Sequence, residues 1–281
     1  ITLDDMNDLS AIVPTITNVY PNGSADVNEF HAAGGVAAFI GSLLDGGFLF
    51  PDVQTLLGND LSVYRNKIEI KNNELVWNTP SQITDQSIIR DSNNPFNMSG
   101  GLKIIEGNIG RGIIKTSSLK SNINHIDGTA IVFDSQDEVL EAFGLGKLDR
   151  DCIIVVRGQG PSSNGMPELH KLTSPLNVLQ SKGFEVAILT DGRMSGASGS
   201  VPAVIHISPE ANTGGLIGKI QTDDKIDIDI NNGTFNLQVD EKTLNTRELY
   251  KVSNNAEGIG RELFKAFREN VKSVDTGASI F

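Results

Sequence analysis

Short apolar runs of β type, spaced along residues 102–207, constrain the fold of this chain more than any other feature of its sequence. They cover residues 102–105, 112–114, 130–133, 152–156, 186–189 and 201–207. Runs of this length that are rich in Ile and Val are typical of buried strands. Further along, apolar residues alternate with polar ones from 226 to 230 and from 235 to 239, on either side of Asn232-Gly233. An Asn-Gly pair between two alternating segments predicts a β-hairpin.

Helical patterns separate some of these runs. Ser135 followed by Glu138 is a capping-box signature, and residues 175–180 predict a short helix that ends at Gly183. Near the end of the chain a helix is predicted to pack back on the domain through one apolar face, made of Ile259, Leu263, Phe267 and Val271. The second part of the chain is therefore predicted to be a mixed α/β domain, with a curled sheet or barrel.

The first part of the chain has a different pattern. A single helix is predicted from residue 30 to residue 44, capped by Asp26 or Asn28 and stopped by Gly46-Gly47. Residues 58–97 are polar with little periodicity, which predicts a long connection. We place a boundary near Ser99, and so expect one domain over residues 1–97 and another over residues 98–281.

Charge and cysteine content exclude several classes of protein. The 281 residues carry 23 Lys and Arg against 35 Asp and Glu, a net charge of −12. Such a chain repels nucleic acid, because binding there depends on clustered Lys and Arg. The apolar runs are too short to span a bilayer, which takes about 20 residues, so we expect no membrane partner. The single cysteine, Cys152, excludes an internal disulfide and favours a reducing compartment, for which we expect the cytoplasm.

Two glycine-rich loops that follow buried strands are where we expect the chemistry. Residues 157–171 include the carboxylate of Glu168, the imidazole of His170 and the cations Arg157 and Lys171. Exposed turns on rigid strands commonly carry reactive groups. The alternative is a solvated loop in which Glu168 merely begins a helix after Pro167.

The second loop, residues 190–199, combines small residues with polar ones. Glycines there allow the backbone to approach a ligand closely, and a helix start beyond them would favour an anion. Its polar side chains are Asp191, Arg193, Ser195 and Ser198. The alternative is a plain strand-to-turn connection.

Other features are weaker indications of function. Residues 107–112 contain glycines without the spacing of a dinucleotide fingerprint, which favours a hairpin turn. His125 and His206 stand apart from other ligand types and are interpreted as structural. Cys152, at the start of a buried strand, is interpreted as a small apolar residue.

At the two loops the sequence resembles the dihydroxy-acid dehydratase and 6-phosphogluconate dehydratase family. The resemblance is carried by Gly-Met-Pro-Glu at 165–168, Thr-Asp-Gly-Arg-Met-Ser-Gly at 190–196 and Ser-Pro-Glu-Ala at 208–211. The 6-phosphogluconate branch is indicated by Leu-His-Lys-Leu at 169–172 and by residues 19–23 and 30–35. The resemblance extends over nearly the whole chain. It implies a β-rich, barrel-like C-terminal domain flanked by helices, preceded by a helical remnant of an N-terminal α/β domain.

The resemblance also implies an activity and its cofactors. Family members are hydro-lyases that convert a 2,3-dihydroxy acid to a 2-keto-3-deoxy acid, with an iron–sulfur cluster (4Fe-4S) and a divalent metal, usually Mg²⁺. On this basis Glu168 is expected to bind the metal and Ser195 to act as the base. The residues expected to bind the phosphorylated sugar-acid substrate are Arg157, His170, Lys171, Arg193, Gly196 and Ser198. The full-length protein is expected to be a homodimer.

One departure from the family pattern limits what this chain can do alone. The cluster cysteines of the family lie in an N-terminal domain, and Cys152 matches none of them. The chain is therefore expected to hold half an active site and to be inactive by itself. The leading hypothesis is dehydration of 6-phosphogluconate in the Entner–Doudoroff route. The alternatives are a dihydroxy-acid or other sugar-acid dehydratase, and a non-catalytic module that binds acids or serves assembly.

Overall fold

The computed structural model describes residues 2–117, 119, 123–195, 201–252 and 258–281. The chain divides into two compact units. One unit is residues 8–101, and the other combines residues 1–7 with residues 102–281. No helix in the described residues is long and apolar enough to cross a membrane.

The described elements alternate between strands and short helices. The helices are α1 (Leu3–Ile12), α2 (Val27–Ala32), α3 (Gly35–Asp45), α4 (Gln136–Gly144), α5 (Pro161–Asn164), α6 (Thr173–Ser181), α7 (Glu241–Thr246), α8 (Ile259–Leu263) and α9 (Lys265–Asn270). The strands are β1 (Asn66–Lys71), β2 (Glu74–Pro80), β3 (Leu102–Gly107), β4 (Gly110–Lys115), β5 (His125–Phe133), β6 (Cys152–Val156), β7 (Val186–Thr190), β8 (Ala203–Ser208), β9 (Lys225–Asp229) and β10 (Thr234–Leu237).

The larger unit is built on a closed barrel of eight strands among the described residues. Their order around the barrel is β10-β3-β4-β8-β7-β6-β5-β9. Strands β5, β6, β7 and β8 are parallel neighbours, and the remaining pairs are antiparallel except β3 with β10. In the parallel part, Phe133 pairs with Val156, and Val156 pairs with Thr190. The loops that begin at residues 134, 157 and 191 therefore leave the barrel side by side.

Strands β6 and β7 are continuous apolar runs in the sequence because both of their faces are buried. Ile153 and Val155 belong to a core cluster to which every barrel strand contributes, which places that cluster inside the barrel. Ile154 and Val156 belong to a second cluster, together with residues of α4 and α6. Strands buried on both faces lose the apolar–polar alternation of a half-exposed strand. The prediction of a barrel-like domain flanked by helices is confirmed.

The predicted hairpins are confirmed as well. Strands β9 and β10 are antiparallel, with Ile228 paired to Phe235. Strands β3 and β4 are joined by a tight turn at Asn108-Ile109, and the side chain of Ile109 is buried in the barrel core. Residues 107–112 thus form a hairpin, as the absence of a dinucleotide fingerprint indicated.

The prediction of one helix over residues 30–44 is wrong, because the segment forms two helices. Asp26 caps α2 as predicted, accepting the Glu29 N–H at 2.8 Å. The chain then turns at Gly34, whose φ of 127° is unfavourable for any residue with a Cβ, before α3 begins. Gly46 caps the end of α3 as predicted.

The prediction that residues 58–97 are only a connection is also wrong. Strands β1 and β2 form an antiparallel hairpin within this segment. The hairpin is largely exposed on both faces, with Ile68 and Ile70 at 62% and 74% exposure. The sequence did carry a signal for this hairpin. Residues 67–71 alternate strictly between Lys or Glu and Ile, and Asn72-Asn73 turn the chain with positive φ angles of 52° and 66°, but the polar composition of the whole segment obscured this short pattern.

The C-terminal helix differs from its prediction too. The segment forms two short helices, α8 and α9, with a break at Phe264. Leu263, Phe264 and Phe267 are each about half exposed or more, so the predicted apolar face is only partly covered. The helix α9 packs against α5 of the same domain, which confirms in part that the end of the chain packs back on the domain.

Candidate active site

The loops after β6 and β7 meet at the carboxyl ends of these parallel strands. After β6 the chain passes through Gly158 and the single-turn helix α5, which ends at Gly165 in the left-handed conformation. Met166 also has a positive φ, of 54°, and Pro167 follows it. These turns bring Glu168 beside Arg193 of the second loop, where the two residues form a parallel bridge. The Leu169 N–H donates to the Arg193 carbonyl at 3.1 Å and extends the pairing.

The Glu168 carboxylate is the point at which the two loops join. Its Oε1 accepts the Ser195 backbone N–H at 2.6 Å, and its Oε2 accepts from the Arg193 guanidinium at 3.0 Å. The Arg193 Nε donates to the Met166 carbonyl at 2.8 Å. The predicted proximity of Glu168 and Ser195, on loops that open at the same end of the barrel, is confirmed. Their roles in metal binding and catalysis stay predictions.

Asp191 holds the base of both loops from a fully buried position. One carboxylate oxygen accepts the Gln159 N–H at 2.8 Å, and the other accepts the N–H groups of Gly158 at 3.2 Å and Ala211 at 2.9 Å. Burial raises the pKa of Asp191 to about 6, against the opposing effect of these hydrogen bonds and with a further rise from the nearby Glu210 charge. Sequence reasoning assigned Asp191 no role of its own.

Glu210 is a second buried carboxylate behind the first loop. It accepts the backbone N–H groups of Ser162 at 2.9 Å and Ser163 at 3.1 Å, together with the Ser163 hydroxyl at 3.0 Å. A Cβ on Gly160 would lie 2.2 Å from the Glu210 carboxylate, so only glycine fits there. Glu210 thereby fixes the start of α5. Sequence reasoning missed this role, although the residue was part of the family motif.

His206 lies closer to the second loop than its isolation in the sequence indicated. Its backbone N–H donates to the Gly192 carbonyl at 2.9 Å, and its φ is 56°. Burial lowers the pKa of its imidazole, and the charge of Arg193 lowers it further. This supports the structural interpretation, with the added point that His206 braces the turn before Arg193.

The remaining predicted substrate-binding residues are spread over a wider area. Arg157 donates to Asp134 at 2.8 Å and to the carbonyls of Gly218 and Ile220, and its guanidinium lies 5.2 Å from the Tyr250 ring centroid. It lines a separate cavity of about 850 Å³ that Glu168 and Ser195 do not reach.

His170 and Lys171 lie on an exposed turn beyond Glu168. The Lys171 ammonium is 3.7 Å from Asp137. Gly196 and Ser198 lie outside the described residues. None of the described contacts tests whether these residues bind substrate.

Two cofactors are expected, a divalent metal and an iron–sulfur cluster. The described residues fit the metal through one ligand and do not fit the cluster. Among the described residues there is no group of three or more His, Cys, Asp or Glu side chains arranged to hold a metal. Cys152 is buried and its thiol pKa is raised to about 11, so it does not fit as a cluster ligand. Iron–sulfur clusters need several thiolates, so the cluster does not fit this chain's residues.

Glu168 does fit a divalent metal as a single ligand. Each carboxylate oxygen has a second lone pair beyond the one used by Ser195 or Arg193. Mg²⁺ is commonly held by one or two carboxylates with water and substrate completing its shell.

Comparison with known proteins agrees with this site. Residues 87–278 match the family described as dihydroxy-acid/6-phosphogluconate dehydratase C-terminal, and residues 1–65 match the corresponding N-terminal family. The chain is 45% identical over 282 residues to phosphogluconate dehydratase of Escherichia coli strain K12, covering 99% of this chain and 47% of that protein. It is 44% identical over 283 residues to phosphogluconate dehydratase of Pseudomonas aeruginosa, covering 100% of this chain and 46% of that protein.

A more distant relative carries the other family name. Dihydroxy-acid dehydratase of Clostridium novyi is 31% identical over 282 residues, covering 99% of this chain and 48% of that protein. The chain spans about half the length of the curated relatives it matches. From the family match over most of its length, and from the meeting of its two characteristic loops at Glu168, we conclude that the chain belongs to the dihydroxy-acid/6-phosphogluconate dehydratase family.

Proposed function

We propose that the full-length protein carrying this chain dehydrates 6-phosphogluconate to 2-keto-3-deoxy-6-phosphogluconate, as in the Entner–Doudoroff route. Relatives named phosphogluconate dehydratase at 44–45% identity support the substrate. The single structural observation that carries the proposal is the joining of Glu168, Arg193 and Ser195 at one end of the barrel.

The reaction removes a proton from C2 of the substrate and hydroxide from C3, which leave together as water, and the resulting enol becomes the 2-keto acid. The C2 proton is only weakly acidic, because the negative charge that develops lies next to a carboxylate. A cationic environment at that position lowers the barrier. Arg193, Glu168 and Ser195 are the residues of this chain that we place there.

We assign proton removal to the Ser195 hydroxyl. A free hydroxyl is a weak base, so it needs a neighbouring charge to act as one. Its backbone N–H is held by Glu168 at 2.6 Å, which fixes the residue against the first loop. A divalent metal, for which we propose Mg²⁺ with Glu168 as one ligand, would supply a Lewis acid that stabilises the alkoxide and the developing charge on the substrate.

The family resemblance adds an iron–sulfur cluster, whose ligands would come from outside this chain. The chain's own share of the reaction is therefore the proton-abstraction half of the site. We further propose residues 1–97 as the end of an N-terminal domain, a cytoplasmic location, and a homodimer for the full-length protein.

The test is turnover of 6-phosphogluconate by the full-length protein, measured as formation of the 2-keto acid. Glu168→Gln and Ser195→Ala are expected to lower kcat by about two to four orders of magnitude, because each removes a group that acts in the transition state. Lys147→Ala, on the exposed turn after α4, is the control and is expected to retain wild-type kinetics. Full activity in Ser195→Ala would exclude it as the base.

The relative from Clostridium novyi supports a second candidate, a dehydratase of another dihydroxy or sugar acid. A kcat/KM for such an acid that exceeds the value for 6-phosphogluconate would replace the first candidate. Absence of turnover with every acid, despite a loaded cluster, would favour a non-catalytic module.

A further inference from the structure

Two arginines beside the first loop line a pair of adjoining cavities. One cavity, of about 530 Å³, is bordered by Arg261, Arg268, Lys265 and the polar side chains of Ser162 and Asn212. The other, of about 490 Å³, is bordered by the same two arginines and by residues of the first loop, including Met166. Arg261 and Arg268 are both partly buried, and each borders both cavities.

Neither guanidinium has a carboxylate within 4 Å among the described residues. The hydrogen-bond acceptors that they do contact are neutral. The Arg261 guanidinium donates to the Asn164 side-chain oxygen at 3.3 Å, and the Arg268 guanidinium donates to the Arg261 carbonyl at 2.5 Å. Elsewhere in the same unit, Arg111, Arg157, Arg193 and Arg247 each contact a carboxylate. The chain has a net charge of −12, so carboxylates are plentiful, yet these two partly buried arginines pair with none of those described. Such a pair of guanidinium groups can bind an anion supplied from outside the chain.

Two carboxylates border the first cavity, but neither lies within 4 Å of a guanidinium of the pair. Glu262 and Glu269 border the first cavity, and Glu269 lies 3.7 Å from the ammonium of Lys265. Glu210 lies behind Ser162 and Ser163, where its oxygens are occupied by three hydrogen-bond donors.

The cavities are within reach of Glu168. Met166 forms part of a cavity wall, and its carbonyl accepts from Arg193, the partner of Glu168. Asn164, the partner of Arg261, is four residues from Glu168, a span of at most about 14 Å. An extended six-carbon acid places its phosphorus about 9 Å from its carboxylate carbon, at bond lengths near 1.5 Å. Met166 therefore joins the second cavity to the Glu168 site, and we infer that the substrate extends across it.

The other large cavity offers a weaker anion site. Its arginines, Arg157 and Arg247, are already paired with Asp134 and Asp224. Asp134 and Glu248 line it and would repel an anion. Glu262 and Glu269 likewise border one of the cavities beside α8 and α9, so the number of charges does not separate the two regions. What favours the cavities beside α8 and α9 is that their arginines are not paired with a carboxylate of the described residues, whereas Arg157 and Arg247 are.

We propose that Arg261 and Arg268 bind the phosphate group of the substrate and so determine specificity for a phosphorylated sugar acid. This inference rests on the proposed function. Guanidinium groups match the geometry of phosphate oxygens and form charge-assisted hydrogen bonds with them. We expect the arginines to hold the phosphate equally in the ground state and the transition state, so that their loss raises KM more than it lowers kcat.

The test uses the full-length holoenzyme with Arg261→Gln, Arg268→Gln and the double variant. Glutamine preserves much of the side-chain length and a donor for Asn164, so the fold is expected to persist, and a urea midpoint for each variant checks this. Each single variant is expected to raise the KM for 6-phosphogluconate by about 10- to 100-fold, with kcat changed less than about threefold. The inhibition constant of inorganic phosphate is expected to rise in parallel, whereas that of unphosphorylated gluconate stays at the wild-type value. Lys147→Ala serves as the control.

An unchanged KM in folded variants would overturn the inference. So would equal weakening of 6-phosphogluconate and gluconate, since the arginines would then act on the protein rather than on the phosphate. If the wild-type enzyme fails to turn over 6-phosphogluconate but dehydrates an unphosphorylated acid, the proposed function itself fails. That result is visible before any variant is made.

Discussion

Asp191 shows how one buried residue can organise two loops that are more than 30 positions apart. Its oxygens accept backbone N–H groups from residues 158, 159 and 211, so three chain segments depend on one carboxylate. Asparagine has a similar shape but replaces one acceptor oxygen with a donor, which would leave buried N–H groups without a partner.

We expect Asp191 to make the stability of the larger unit depend on pH. Its folded pKa of about 6 lies above the ordinary value of 3.8 for an aspartate, so the folded state binds the proton more tightly than the unfolded state. The contribution of Asp191 to stability is therefore largest below about pH 4, falls as the pH rises towards 6, and is level above that, a loss on the order of 3 kcal/mol. This component is expected to be absent in Asp191→Asn.

The buried thiol of Cys152, in β6 of the same unit, provides the measurement. Its rate of chemical labelling in urea, corrected for thiol ionisation, reports opening of the barrel between pH 4.5 and pH 7.5. Asp149→Asn, which removes an exposed carboxylate paired with Lys182, is the matched control. Parallel pH profiles for wild type and Asp191→Asn would contradict the assignment.

Arg193 is exposed and bridges the two loops, so we expect its replacement to affect catalysis rather than the pH dependence of stability. Its guanidinium contacts both the Met166 carbonyl and the Glu168 carboxylate. Arg193→Ala in the full-length enzyme is expected to lower kcat/KM by about tenfold or more, because Glu168 loses its orienting partner. Arg150→Ala, at an exposed position before β6, is the comparison, and equal kinetics in the two variants would remove Arg193 from the site.

At the scale of elements, glycine decides where the predicted long helix divides. A Cβ on Gly34 would lie 2.6 Å from the Gln82 carbonyl oxygen and 2.6 Å from the Ala38 Cβ, in addition to the strain of a φ of 127°. Gly47 has a positive φ of 75° but open space around it. Gly34→Ala is expected to destabilise the smaller unit by about 2–4 kcal/mol, and Gly47→Ala by about 1 kcal/mol.

Trp77 makes this comparison measurable, because the single tryptophan of the chain lies in β2 of the same unit. Its fluorescence during urea unfolding reports on that unit separately from Cys152. Equal midpoints for Gly34→Ala and Gly47→Ala would show that the contacts at Gly34 are unimportant.

For the whole molecule, we expect the 281 residues to fold without carrying iron or dehydrating 6-phosphogluconate. The closed barrel has its own core on both faces of β6 and β7, which supplies enough buried apolar surface for independent folding. The one cysteine cannot hold a cluster. Protection of Cys152 from labelling, an iron assay and an activity assay on the purified chain test this. Stoichiometric iron with turnover would show that the cluster ligands lie within these residues.

The sequence by itself determined the eight barrel strands, the two hairpins among them and the two functional loops, because these depend on local patterns. Runs such as 152–156 and 186–189 are apolar throughout since both faces of β6 and β7 are buried, and Asn232-Gly233 sets the turn locally. The tertiary structure decided the rest. The split between α2 and α3 falls at Gly34, where the Gln82 carbonyl leaves no room for a Cβ, and the anchoring roles of Asp191 and Glu210 depend on N–H groups far away in the chain. A partner that is distant in sequence leaves no periodic signal, so its hydrogen bonds become visible only when the strands are brought together.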